Sequence, residues 1–376
     1  MKSKKYLLNV FMLIMTITLI AGRSGPAAAQ KTDPPKASSA AQKQPAEWGQ
    51  LAEKANKEGK LIIFGQANNS FRNAIIAGFN KQYPKIKIEY RSGTKTVDIV
   101  SKISSEKRAG IHEMDLLLWG ANTIYGILIP AGYITPIKDL LILEELKDPR
   151  KWAQGKLEYA DKEGKYIVPY MLIQGTQILV NKNLVDVSQL KSYDDLLDSK
   201  YYGKIVVAHP KDVGQSRYAF GFFYDYYGES YFEKLAAQKP AVIKDVKQLI
   251  DWVAHGKYAI GISPGNIDAF KELMDSGIPI VGMQLKEGGY YSPGYNNISI
   301  VKDAPHPNAA KLFANWIFTK EGQEVVIEAT QGSSVRTDVS NPLKFEKNKK
   351  YFAPHLQKNE QVQKKAVETF DKYFKQ

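Results

Sequence analysis

Gly261-Ile262-Ser263-Pro264-Gly265 has the G-x-S-x-G spacing that raises a nucleophilic serine on a turn between a strand and a helix. Such an elbow needs the backbone N–H after the serine to stabilise an oxyanion, and Pro264 has none. The pentapeptide therefore argues against a hydrolase. It reads instead as a strand-to-helix turn that offers the Ser263 hydroxyl and the Asn266 amide to a cleft. The five histidines, His112, His209, His255, His306 and His355, show neither an HExxH pair nor another metal-ligand spacing. They are expected on the surface or in turns. Neither a Walker A loop nor GxGxxG occurs, so no nucleotide, no other cofactor and no catalysis is expected.

Tyrosine is abundant, with doublets at Tyr201-Tyr202, Tyr226-Tyr227 and Tyr290-Tyr291. Phenolate pairs bind ferric iron, which keeps a secreted ferric-iron or metal-binding protein open as an alternative. Otherwise such doublets are aromatics of the core and its rim. Gly288, Gly289, Pro293 and Gly294 place Tyr290 and Tyr291 in a loop, where an aromatic ring stacks on a ligand.

The elements that position these groups follow from periodicity. Leu61 to Phe64 is an apolar run of strand length, followed by the loop Gly65-Gln66-Ala67-Asn68-Asn69-Ser70 and a helix carrying Phe71, Ile75 and Phe79. Ile86, Ile88 and Tyr90 alternate as a strand. A helix follows from about Thr96, and Asp115 to Trp119 is a third strand. This β-α-β-α-β order predicts a mainly parallel sheet with helices on both faces. Ligands then belong beyond the carboxyl ends of the strands. The rule selects Gln66, Asn68, Asn69, Ser70, Ser92, Thr94, Trp119 and Asn122.

Gly203 to Ala208, Arg217 to Tyr227, Tyr258 to Ile262 and Ile267 to Met274 predict a second α/β unit, which adds Gln215, Ser216 and Arg217 to Ser263 and Asn266. Tyr166 to Tyr170 and Gln177 to Asn181 read as extended crossings between the units, with a return after Ile280. Beyond it, Ile298 to Val301 is a strand. Ala309, Leu312, Phe313, Trp316 and Ile317 then form one apolar helical stripe, with Pro307 in the first turn and Asn308 as its cap. Two lobes are expected: residues 46–170 with 285–335, and residues 171–284 with 336–376, hinged about a central cleft.

The chain has 376 residues, enough for two domains, and at 44% hydrophobic it can bury a sizeable core. Lys2, Lys4 and Lys5 precede a nearly continuous apolar run from Tyr6 to Ala21, and Ala27-Ala28-Ala29 then supplies the small-residue pattern of a cleavage site. This predicts a secretory signal over residues 1–29, cleaved before Gln30, and a disordered spacer over 30–45. The absence of cysteine excludes disulfides, thiolate chemistry and a lipid-modified cysteine. Loss of Lys2, Lys4, Lys5 and Arg23 takes the charge from +13 to +9. The remaining lysines are spread out, and export argues against a nucleic-acid partner.

Four stretches carry a family resemblance: KLIIFGQANNSF, VNKNLV, SYDDLLDSKYYGKIVVAHP and ISIVKDAPHPNAAKLFANWIFTKEGQ. Over about residues 46–345 the chain resembles the extracellular solute-binding proteins of ABC importers, in the branch of ferric-iron, polyamine and phosphonate binders. The resemblance implies a two-lobed type II periplasmic-binding-protein fold. It also implies a monomer in the periplasm that closes on a small-molecule ligand and docks on an inner-membrane ABC permease. Iron-binding relatives carry tandem tyrosines where this chain has Ser263-Pro264-Gly265-Asn266, and a histidine near Asn68. The residues expected to bind the solute are those named above together with Tyr290 and Tyr291. Arg217 is expected as charge partner, and Trp119 or the tyrosines as stacking surface.

Overall fold

The computed structural model describes residues 46–374 apart from Thr94, Gln331 and Leu343, so the expected signal and spacer lie outside the described residues. α1 (Ala46–Glu58) buries Trp48, Leu51 and Ala55 and leads into β1 (Lys60–Gln66). After α2 (Asn69–Gln82), β2 (Lys87–Gly93), α3 (Thr96–Arg108) and β3 (Leu116–Trp119), a short α4 (Ala121–Thr123) opens into a π turn over Ile124–Leu128. β4 (Ile134–Thr135) and β5 (Val168–Pro169) complete this part of the chain.

β6 (Met171–Gln174) and β7 (Thr176–Asn181) are separated by Gly175 alone. Next come β8 (Ile205–Ala208), α5 (Gly214–Tyr227), α6 (Glu229–Ala237), β9 (Ala241–Ile243), α7 (Val246–Ala254) and β10 (Ile260–Gly265). The helix expected at Ile267 to Met274 is a 3-10 turn, Ile267–Ala269, followed by α8 (Lys271–Asp275). β11 (Ile280–Met283), β12 (Gly288–Ser292) and β13 (Asn297–Val301) lead to α9 (Pro307–Trp316) and α10 (Lys320–Thr330). The chain continues through β14 (Ser333–Ser334), β15 (Lys350–Phe352) and α11 (Glu360–Tyr373).

These strands build three sheets. The first runs β2-β1-β3-β13-β4, with β5 also on β13; the second runs β11-β7-β10-β8-β9; the third runs β14-β6-β12-β15. In the first sheet the β2-β1-β3 pairs are parallel, as the β-α-β-α-β order predicts, and β13 returns antiparallel to β3. The second has the same plan. β9-β8-β10 pairs in parallel, and β7 lies antiparallel between β10 and β11. β7 and β13 each enter straight from the third sheet without a crossover helix, the connection that parallel pairing needs.

The apolar stripe of α9 is fully buried, Ala309, Leu312, Phe313, Trp316 and Ile317 alike. Its cap differs from expectation. His306 occupies the cap position, and the Glu58 carboxylate at the end of α1 accepts from the backbone N–H of Asn308 at 3.1 Å and of Ala309 at 2.8 Å. Asn308 is thus capped from another helix and does not do the capping itself. Among the described residues no helix is long and apolar enough to cross a membrane.

Candidate functional site

In the β2-β1-β3 order the chain leaves β1 in one direction and returns on its other side at β3, so the strand order reverses beside the carboxyl end of β1. Gln66 ends β1 there, and Gly120 to Thr123 follow β3. The β9-β8-β10 order repeats this arrangement in the second sheet, where β8 leads to the start of α5 and β10 to Asn266. Both reversal points open on one cavity of about 490 Å³. The first sheet's side contributes Gln66, Thr96 and Gly120 to Thr123; the second's contributes Gly214, Gln215, Tyr218 and Asn266. Ile173, Tyr290 and Ser292 of the third sheet, the turn Gly294 to Asn296, and His355 complete the wall.

Local sequence explains these placements. Gly65 has no side chain because the Tyr90 ring crosses it: a β-carbon there would stand 2.0 Å from the Tyr90 hydroxyl, which donates to the Gln66 carbonyl at 3.0 Å. The starts of α3 and α4 meet through the Thr96 and Thr123 hydroxyls, 3.2 Å apart. Neither α3, whose cap position is Lys95, nor α5, with Val213 there, receives a side-chain cap. Their first backbone N–H groups remain free for a ligand. No Asp, Glu, Lys or Arg is among the described residues lining the cavity.

Of the residues expected from sequence, Gln66, Asn122, Gln215, Asn266 and Tyr290 line the cavity. The others lie elsewhere. Asn68 caps α2, its side-chain oxygen accepting from the Phe71 N–H at 3.0 Å, and Asn69 and Ser70 are exposed on the first turn. β2 extends through Ser92, which is exposed on it, and Thr94 lies outside the described residues. Trp119 is a core residue, packed edge-on to Phe64 at 5.8 Å and Tyr295 at 5.3 Å, so Tyr295 and not Trp119 faces the cavity. The buried Ser216 hydroxyl donates to the Ala208 carbonyl, and the Arg217 Nε donates to the Pro210 carbonyl at 3.4 Å. That leaves the expected charge partner out of the cavity. Ser263 is fully buried at a φ of 66°, which removes its hydroxyl from solvent as well as from an elbow's role.

The Tyr290-Tyr291 doublet is a strand and not a loop. Consecutive strand residues point to opposite faces. Tyr290 packs edge-on to Tyr218 at 5.8 Å, whereas Tyr291 turns the other way and donates to Glu158 at 3.1 Å. The two phenols therefore cannot chelate one ion together. Burial, reinforced by the neighbouring Tyr218, holds the Tyr290 hydroxyl well above the usual phenol range, so it is neutral. Among the described residues no group of three or more His, Asp or Glu side chains is placed to hold a metal ion.

Sequence reasoning missed Thr96, Tyr218, Tyr295, Asn296 and His355. Tyr218 stands three residues after Gln215 on α5, so helical spacing signals it. Tyr295 and Asn296 belong to the turn-forming run after Pro293. For His355 no local signal exists. It was expected on the surface or in a turn and is 3% exposed, because the chain after β15 folds back onto the cavity wall. His306 is also no simple surface residue: its Nδ1 lies 2.9 Å from the buried Asp115 carboxylate.

The sequence profile of the bacterial extracellular solute-binding proteins matches residues 65–324. The chain belongs to this family. An uncharacterized protein from Haemophilus influenzae is 26% identical over 306 residues, which cover 78% of this chain and 84% of that protein. Among solved structures, the Trichodesmium protein IdiA (FutA) in complex with iron and citrate superimposes with a TM-score of 0.65 at 18% identity, covering 84% of this chain and 99% of that one. The ferric iron-binding protein A of Mannheimia haemolytica, in an open conformation, gives 0.62 at 15% identity over 84% and 98%. AfuA of Actinobacillus pleuropneumoniae, with fructose-6-phosphate bound, gives 0.51 at 21% over 84% and 99%. These likenesses establish the type II periplasmic-binding-protein fold. The solute-binding family serves ABC importers, and a cavity between two sheets fits that role.

Proposed function

We propose that this protein captures a small polar solute, with an anionic group, in the periplasm and delivers it to an inner-membrane ABC permease as a monomer. The lobes are residues 46–170 with 285–335 and residues 171–284 with 336–376, hinged on the third sheet. The observation that carries this reading is the convergence of both strand-order reversals on one uncharged polar cavity of about 490 Å³. This volume lies within the roughly 300–1,000 Å³ typical of small-molecule sites. An anionic group is favoured because the free N–H groups at the starts of α3 and α5 carry partial positive charge, while no Asp or Glu among the described lining residues repels it. Gln66, Asn122, Gln215 and Asn266 add amide hydrogen bonds, and Tyr218 and Tyr295 supply aromatic surface. Closure of the lobes seals the solute from water.

A thermal-shift panel of organic anions, phosphate esters, amines and ferric citrate tests the reading. An organic anion raises the melting temperature, and Gln215→Ala combined with Asn122→Ala abolishes the shift. A panel that leaves the melting temperature unmoved sinks it.

A further inference from the structure

His355 reaches the cavity from the C-terminal region and brings the one titratable imidazole among the described lining residues. Its Nε2 lies 3.0 Å from the Glu158 carboxylate, and its ring packs edge-on to Tyr291 at 5.3 Å. Glu158 also accepts from the Tyr291 hydroxyl, at 3.1 and 3.3 Å, and that hydroxyl in turn accepts from the Gln154 amide at 3.0 Å. An ionised carboxylate only accepts, so this arrangement fixes the proton on Nε2 and leaves a lone pair on Nδ1. That Nδ1 is buried and has no partner within the protein. A buried, unpartnered ring nitrogen on a residue that lines a solute-binding cavity marks where a ligand atom belongs, because leaving it unmatched after lobe closure opposes binding.

We propose that His355, braced by Glu158, is a ligand-contacting and specificity-determining residue, and that it accepts a hydrogen bond through Nδ1 from a hydroxyl of the solute. This rests on the solute-binding reading and narrows it. The anionic end of the solute faces the free helix starts, while a hydroxyl end faces His355. A small hydroxylated organic anion satisfies both ends. An anion without hydroxyls leaves Nδ1 unmatched and places its acceptor oxygens against a lone pair.

The test uses the full mature chain with glycerol 3-phosphate and propyl phosphate as probes, the second lacking the hydroxyls of the first. Titration calorimetry of the wild type is expected to favour glycerol 3-phosphate by about tenfold or more. His355→Phe keeps a planar ring but carries no acceptor, and it removes that preference without weakening propyl phosphate. Equal affinity of the wild type for the two probes overturns the proposal, and so does a preference that survives in His355→Phe. Imidazole nitrogen NMR of the free protein provides a readout independent of any ligand. It is expected to show the neutral His355 ring carrying its proton on Nε2, and a neutral ring with its proton on Nδ1 overturns the assignment. Failure of both probes to bind while another solute of the thermal-shift panel does so overturns the hydroxylated-anion class and leaves the solute-binding reading standing. A protein that binds nothing loses both.

Discussion

Tyr290 lies across the backbone of Gly175, so close that a β-carbon on Gly175 would stand 2.0 Å from the aromatic ring. Gly175 joins β6 of the third sheet to β7 of the second, and its N–H donates to the Tyr290 carbonyl at 3.0 Å. The ring that walls the cavity therefore also packs on the crossing between sheets. Gly175→Ala is expected to cost about 1–3 kcal/mol through overpacking. A smaller cost in a Tyr290→Ala background, measured by urea unfolding as a double-mutant cycle, identifies the ring as the cause. Strictly additive costs would point to the backbone instead.

Asp115 is fully buried and accepts from the Ile62 N–H at 2.7 Å, the His306 N–H at 2.7 Å and the His306 Nδ1 at 2.9 Å. One carboxylate thus ties β1 to the turn that launches α9. Asp115→Ala strands those donors and is expected to cost about 3 kcal/mol or more, since two buried backbone N–H groups each lose a partner at about 1–3 kcal/mol. His306→Ala leaves the backbone contacts intact and costs less. Equal losses in the two unfolding curves would refute the ranking.

Arg336 is fully buried, with Nε and Nη2 on Asp338 at 2.8 and 3.0 Å and Nη1 on the Phe318 carbonyl at 2.9 Å. Burial works against the charged form of Asp338, but hydrogen bonds from Arg336 and Lys151 outweigh it and hold the carboxyl well below its ordinary value. A depressed carboxyl stabilises the fold above its unfolded pKa of about 3.9, and this contribution fades as the pH falls below it toward the folded value. Asp338→Asn should therefore lower the urea midpoint at pH 7 and differ progressively less from the wild type below about pH 4. A gap that stays constant with pH contradicts this.

Ser263 holds a φ of 66°, the left-handed region, and its buried hydroxyl has no partner. Ser263→Gly removes both penalties and is expected to raise stability by about 0.5–1 kcal/mol. A melting temperature that falls would show that the hydroxyl is satisfied in the folded protein.

The parts of the site that were legible in the sequence are those governed by strand ends. Gln66, Gln215 and Asn266 follow directly from where an apolar run stops, because the carboxyl-end rule needs only local order. The neighbours chosen with them were lost to local competition. Asn68 spends its side chain on capping α2, and Ser216 and Arg217 turn away from the cavity because each helical residue rotates the side-chain direction by about 100°. The β-α-β-α-β order of the first sheet is legible because β1 and β3 are buried apolar runs and Ile86, Ile88 and Tyr90 alternate into β2. Glu58 capping α9 across 250 positions, and His355 at the cavity, arise from tertiary contacts with no sequence periodicity to announce them.

The third sheet draws its strands from Met171–Gln174, Gly288–Ser292, Ser333–Ser334 and Lys350–Phe352. No two strands paired within it are close along the chain, so every pairing in it closes a long loop, whereas β1 and β2 pair across a single helical crossover. Loop-closure entropy and non-local pairing make such a sheet the slowest part to assemble. The binding wall that includes Tyr290 is thus completed last as the chain folds, and a refolding protein regains solute recognition only after its helical content has returned.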